Sequence, residues 1–573
     1  MIAQLRILIS GHRILLFLGL LMGCACMATS LPYKGIVKES KPAKDSLIHL
    51  EEAGSLTYDR SITNAQILVN NVRFRHKGAI MTCDSANFYQ ESNSFKAYGN
   101  VKMIQGDTLE LVGDTLDYNG NLELAKVWGR EVVLTHWKDS RKKQKSTLNT
   151  QHLDYDRVYD MGYFYEGGTL YDDENVLTSD WGEYHTAEHE AYFYFNVKLT
   201  NPKFLLHTDS LNYNTDSKDS HFQGPSNVFR VVDGNVNNSE LIYSTDGYYN
   251  TTTEYAKLYG HSIVRNSERL AEALDSMIYD RQTGEGWAYK NVVLTDLKNK
   301  NQLLGDYCYY NDSIGKAMAT GRAVAKDFSQ EKEDTLFLHG DTLRMYTFNF
   351  RTDSAYRMMH AYPHVRVYRT DIQAVADSLV YNQFLSRMGM YKNPIVWQEG
   401  MQLLGDTIYV FNNDSTIEWA HVVDQALSVE KVDSIHYNQI AGKELMAYFD
   451  EGKLIRSEVH GNVLYGYYPM EKDSTLQGYV NGETTEMKFY LKDQKLEKIW
   501  AGSGTSGIMY PIPMIPADKY KIRGFVWLDY IRPKDKNDIF DWKERNVTDI
   551  QEIKPKRSAP VVELDKIKKN RKD

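Results

Sequence analysis

Polar and apolar positions alternate with period two over much of the chain, and one short string keeps returning through the alternation. It reads Asp84-Ser-Ala-Asn-Phe88, Asp114-Thr-Leu-Asp-Tyr118, Asp209-Ser-Leu-Asn-Tyr213, Asp275-Ser-Met-Ile-Tyr279, Asp377-Ser-Leu-Val-Tyr381 and Asp433-Ser-Ile-His-Tyr437. With degenerate copies, thirteen anchors between 54 and 433 recur about every 32 residues, and ten of the thirteen are Asp. A large apolar side chain stands two places after most anchors, as at Leu56, Leu116, Leu211, Leu343 and Leu379, and Tyr often stands four places after. That spacing predicts a strand, with its Leu and Tyr on one face and the polar residue between them on the other. About fifteen residues after several anchors a second element starts, at Gly99-Asn-Val101, Gly129-Arg-Glu-Val132, Gly224-Pro-Ser-Asn-Val228 and Gly321-Arg-Ala-Val324, with Gly260-His-Ser-Ile263 slightly out of step. Each repeat therefore holds two strand passes.

The Asp row invites a catalytic or calcium reading. One Asp every thirty residues does not match the dense Gly-Asp turns of calcium-binding repeats, whereas Asp with Ser or Thr bonds local backbone where a chain bends. The Leu and Tyr columns admit two readings: an ordinary core between two sheets, or an apolar groove open along its length.

Composition narrows the classes. The 573 residues exceed one compact core, Tyr reaches 41 while Pro is only 13, and the net charge of −9 carries no large basic block. Abundant Tyr and scarce Pro favour strands, and the acidic balance excludes nucleic acid as a partner. At the start, Arg6 and Arg13 precede the apolar run Ile14–Met22 and small residues to Ala28, the layout of a secretory signal over 1–28. Leu21-Met-Gly-Cys24 is similar to a lipoprotein cleavage box, which leaves a lipid anchor at Cys24 open beside plain removal of the signal. Only Cys83 and Cys308 then remain, which is neither a disulfide framework nor a zinc spacing.

The repeated Gly-Asp-Thr-Leu-like strings at Gly113, Gly340 and Gly405, alternating with Tyr98-Gly-Asn-Val101 and Val459-His-Gly-Asn-Val463 behind a signal sequence, resemble the OstA-like family. That family includes the periplasmic lipopolysaccharide transport proteins LptA and LptC and the amino-terminal domain of LptD. The resemblance spans about 50 to 500 and implies an all-β fold, an elongated antiparallel β-jellyroll or β-taco. Its groove would shield the acyl chains of lipopolysaccharide or a lipid A-like lipid, in the periplasm. It further implies edge-strand addition to other β-jellyroll proteins of the pathway and to an outer-membrane LptD-like protein. Two departures leave the pathway step open: the array is longer than a one-domain bridge protein, and no long carboxy-terminal barrel follows it.

On this reading the chain divides into the signal at 1–28, β-jellyroll segments at 29–250 and 251–500, a Pro- and aromatic-rich cap at 501–550 and a basic, disordered tail at 551–573. The groove candidates are the inward Leu116, Tyr118, Leu211, Tyr213, Leu343, Leu379 and Tyr381, acting by apolar contact. No enzyme is expected, because no nucleophile set, nucleotide loop or carboxylate pair stands out, and neither a cofactor nor a metal is expected. His185 and His189 lie four apart, a ligand spacing on a helix but not on a strand. The basic run 138–145 reads as a hairpin loop, and hairpins are predicted about 450–452 and 492–495. The rival to a lipid carrier is a structural or adhesive β-solenoid with a dry core.

Overall fold

The computed structural model describes residues 46–546, apart from 62, 312, 329–334, 350–351, 414–415, 452, 472–474 and 493–494. The expected signal and basic tail lie outside the described residues. What is described is all-β: forty strands form one continuous antiparallel sheet that crosses residue 250 without a break. Consecutive strands pair as hairpins, so the sheet is a meander.

Each pass bends in its middle. In the pairing of Gln66–His76 with Ala79–Tyr89 the register shifts between Val69 and Val72. The next pairs shift between Thr82 and Ser85, Tyr98 and Val101, and Val112 and Thr115. Elsewhere the bend becomes a true interruption, as between Met161–Phe164 and Gly168–Asp172 or between Ile372–Ala376 and Ser378–Asn382. Stacked bends make a spine, and the sheet folds along it into two facing walls. Leu116, Tyr118, Leu211 and Tyr213 belong to wall 1; Phe74, Leu134 and Leu199 belong to wall 2, and all seven join one interior cluster.

The repeat explains the spine. On alternate passes the bend is a pair of left-handed residues: Asn70-Asn71, Gly99-Asn100, Phe195-Asn196, Lys290-Asn291, Gly321-Arg322 and Gly461-Asn462. Such bulges turn a strand sharply, and Gly and Asn adopt them at least cost. The anchor Asp lies on the neighbouring pass and holds them: Asp84 Oδ2 accepts from Asn100 Nδ2 at 2.8 Å and Asp180 Oδ2 from Asn196 Nδ2 at 2.5 Å; at other corners Asp114 Oδ2 accepts from the Arg130 amide at 2.9 Å, and Asp341 Oδ2 bonds Nδ1 of the single left-handed His364 at 2.7 Å. The Asp row and the Gly row of the repeat are two halves of one corner.

Residues 511–545 leave the sheet and run back across the outer face of wall 2 as a strap. Lacking strand partners of its own, the strap has its backbone satisfied by side-chain amides, as buried polar groups require. Gln402 donates to the Val526 carbonyl (2.9 Å) and accepts from the Leu528 amide (2.7 Å); Gln439 does the same with Tyr520 O (2.8 Å) and the Ile522 amide (3.0 Å). The buried Arg366 reaches the Ile531 carbonyl and Asp538. Between these ties Phe525, Val526, Leu528 and Ile531 bury Val375, Ile395, Trp397 and Leu404 in a second core.

The two hairpins predicted near the end are present, as Tyr437–Asp450 with Lys453–Tyr467 and Tyr479–Lys492 with Lys495–Ala501. The basic run 138–145 spans the turn between Leu124–Trp137 and Lys145–Asp156, with the Lys142 ammonium 4.3 Å from the Trp137 ring. Cys83 and Cys308 are free and buried, and burial pushes their thiols up to about 11 and about 12.

Two substitutions test this account. A Cβ at Gly99, where φ is +73°, stands 2.4 Å from Asp84 Oδ2; Gly99→Val is expected to lower the unfolding free energy by about 2 kcal/mol or more in urea titrations, with partial recovery in Gly99→Val/Asp84→Ala. Gln402→Ala leaves a buried amide and carbonyl of the strap unpaired and is expected to cost about 1–3 kcal/mol while exposing Lys and Arg in 519–523 to trypsin.

Candidate functional site

The interior between the walls changes character along its length. From 46 to about 222 it is dry and shut: Leu116, Tyr118, Phe164, Tyr184 and Tyr213 are at most 1% exposed. Opposite the spine, the hairpin tips of the two walls meet along a seam, and polar groups sew it closed. Tyr118 Oη bonds His76 Nδ1 and accepts from Arg157 Nη1, both at 2.7 Å. Arg157 also donates to Gln105 Oε1 (2.9 Å) and the Lys77 carbonyl (3.2 Å), and Gln105 donates to Asp160 (2.6 Å). Further along, His136 Nδ1 bonds Tyr184 Oη at 2.9 Å and its ring stacks on His189 at 5.0 Å. Then Tyr213 donates to the fully buried Asp172 at 2.6 Å, Lys218 pairs with Asp172 and Asp173, and Lys203 pairs with Glu254 at 2.8 Å.

Beyond 222 a second set of inward positions, nearer the tips than the buried floor of Val292, Leu343, Leu379 and Ile408, is only half-buried. Val228, Ile242, Leu294 and Leu303 on wall 2, with Met359, Met388 and Val410 on wall 1, pack against the core yet keep part of their surface in water. Contacts across the seam thin out: among the described residues, Arg269 donates to Tyr310 Oη at 3.1 Å, and Arg357 lies 3.8 Å from Asp296. The result is an apolar trough with a polar lip, continuous at one end with the sealed section.

All seven expected groove residues sit on the interior face, in two groups. Leu116, Tyr118, Leu211 and Tyr213 are in the sealed section, where the two phenols hold the seam bonds described above; burial raises both pKa values, and for Tyr213 the adjacent Asp172 raises it further. Leu343 and Leu379 form the floor of the trough at 1% exposure each, and Tyr381 stands half-buried nearer the lip. The repeat columns missed the methionines: Met345 faces Met359 and Met388 faces Tyr381 across strand pairs. Their signal was available as Met388 and Met390 at period two and as the adjacent Met358 and Met359, but Met has no fixed place in the repeat.

His185 and His189 do not converge. His185 lies 3.1 Å from Glu183, while His189 stacks across the seam. Glu458, His460 and Glu486 do converge on the outer face of wall 1, but Lys488 sits 2.8 Å from Glu486 and already supplies the positive charge.

An elongated, two-walled antiparallel sheet with a lengthwise apolar interior defines the class. The sequence model described as OstA-like protein matches residues 45–209, and over that segment the chain is similar to that family. The resemblance read from the repeats ran on to about 500; the match ends at 209 while the folded meander continues. Among solved structures, the crystal structure of LptH, described as the LptA-homologous periplasmic component of the lipopolysaccharide transport device of Pseudomonas aeruginosa, is similar at 19% identity. That match covers 20% of this chain and 76% of that one, with a TM-score of 0.17. No curated protein matches the chain.

The seam carries a pH prediction. Burial, then the neighbouring His189, lowers His136 to about 4 from an ordinary value near 6.5. The unfolded chain therefore binds the extra proton first, so stability is complete above about pH 6.5 and falls as pH drops towards 4. His136→Phe is expected to remove on the order of 1–3 kcal/mol of that pH dependence, read from urea midpoints between pH 7 and pH 4.5.

Proposed function

We propose that this chain is a periplasmic lipopolysaccharide-binding transport protein, which shields lipid A acyl chains in the trough and bridges towards the outer membrane. The observation that carries the reading is the passage from a sealed to a half-open interior. Burying an acyl chain against the half-buried Met359, Met388, Val410 and Leu294 removes apolar surface of both partners from water at about 25 cal/mol per Å². Methionine adapts to chains of different length and branching. The OstA-like segment and the name of the LptH neighbour support the cargo.

Bridging draws on the ends of the meander. Among the described residues, His49–Glu52 and Ser55–Tyr58 pair only with Gln66–His76, and Lys495–Ala501 and Ser506–Tyr510 only with Tyr479–Lys492, so each end of the described sheet offers an edge strand. Leu56, Tyr58 and Ile508 on those edges are more than half exposed. Such edges suit strand addition by other β-jellyroll proteins or an outer-membrane LptD-like partner. The dry interior of 46–222 favours the scaffold reading for that section alone.

Photo-crosslinking side chains at Met359 and Tyr381 are expected to trap lipopolysaccharide in cells, with the sealed Leu211 and the outward Asn212 silent. Met388→Glu is expected to weaken binding of purified lipopolysaccharide at least tenfold without loss of the folded far-ultraviolet spectrum. Folded, exported protein that gives no adduct at Met359 or Tyr381 sinks the proposal.

A further inference from the structure

The outer face of wall 1 is rich in aromatic side chains, and none of them serves the interior. Cross-strand rings pair along it: Trp181 with Tyr194, His221 with Tyr248, and Phe411 with Trp419, at centroid distances of 4.6, 4.1 and 3.9 Å. At one place this face is concave. Lys145–Asp156 pairs with Gly168–Asp172 through residues 146–150 and with Met161–Phe164 through 154–156, which leaves 151–153 without a strand neighbour on that side. The gap opens a shallow depression of about 530 Å³ lined by Trp128, Gly129, Gln151, His152 and Glu166.

Its chemistry is that of a platform with a polar rim. Trp128 and Tyr165, 38% and 43% exposed, flank His152, and both rings meet it edge to face at 5.8 and 5.2 Å. Two of the carboxylates at the site already have cationic partners: Asp154 has Lys126 at 3.1 Å, and Asp114 takes the Arg130 amide and guanidinium. Glu166 adds a further carboxylate to the rim, so an anionic ligand is disfavoured. A ligand here gains from C–H groups laid on the negative faces of Trp128 and Tyr165, and from hydroxyls that exchange hydrogen bonds with Gln151 and Glu166. A buried apolar ligand is disfavoured, because the depression is shallow and its rim is polar.

We propose that this depression is a binding site for a neutral saccharide, with Trp128 and Tyr165 as stacking platforms and Gln151 and Glu166 as hydroxyl partners. The proposal does not rest on the lipid reading: the site lies outside the walls, and its probes carry no acyl chain.

The test is binding of the full chain to an array of neutral bacterial oligosaccharides, followed by calorimetry with the best of them. Wild-type protein is expected to bind at least one, with affinity at least tenfold lower in Trp128→Ala and Tyr165→Ala and unchanged in Tyr171→Ala, an exposed ring on the other wall. Should the ring variants fail to fold, Gln151→Ala and Glu166→Gln replace only exposed rim groups and are expected to weaken binding several-fold. An array with no signal above an unrelated protein overturns the proposal, as does binding that survives both ring variants. Saturation by tetramethylammonium instead of sugar would make this a cation site, and Trp128-dependent dimers in sedimentation would make it a contact between copies; either overturns it.

Discussion

The corner at the spine is the constraint on which the rest depends. A β-strand of eleven to sixteen residues does not fold back on itself without a break in its ladder, and a break leaves backbone groups to be satisfied. Here the break is shared between neighbours, since one pass supplies two left-handed residues and the next supplies a carboxylate that holds them. Repeated up the meander, the corner sets the wall separation at every level. It also fixes which side chains face inward, because a shift of one residue would invert both walls.

Given two walls, the seam decides what the interior is. In the first section the inward positions nearest the tips are His76, Gln105, His136, Asp172 and Asn175, and each finds partners on the opposite wall. Buried polar groups of this kind are costly unless paired, so pairing and closure come together. In the second section the corresponding positions, such as Arg230, Glu240, Arg269, Asp296 and Asn301, are polar too, but Arg230 and Glu240 pair with each other on their own wall, and the contacts across the gap are reduced to pairs such as Arg269 with Tyr310 and Arg357 with Asp296. Wall 2 there gains its support from outside: the strap ties Arg366, Gln373, Gln402 and Gln439 on the face away from the trough. The open wall is thus stiffened without anything being placed in its cavity.

The two faces of wall 1 consequently offer different chemistry at one place in the chain. Inward positions present Leu, Met and Val, and the alternate outward positions present rings interleaved with carboxylates and amides. This also accounts for the excess of Tyr, which exceeds what the repeat column requires.

The repeat made much of this legible in advance. Asp at one corner, Gly or Asn at the next, and Leu and Tyr at period two are local signals, and local signals dictate strands, bends and inward faces; hence the all-β class, the inward placement of Leu116 to Tyr381 and the structural role of the Asp row could be read from residues alone. The seam could not. Whether Tyr213 lines a groove or holds a buried carboxylate depends on Asp172, forty-one positions away on the other wall. The strap's course depends on Gln402 meeting Leu528, 126 positions on. The depression beside Trp128 exists because one neighbouring pass is interrupted. Sequence determined the repeating unit, because its bonds are between adjacent passes; tertiary structure decided where the interior is shut, open or covered, because those contacts join residues that no local pattern relates.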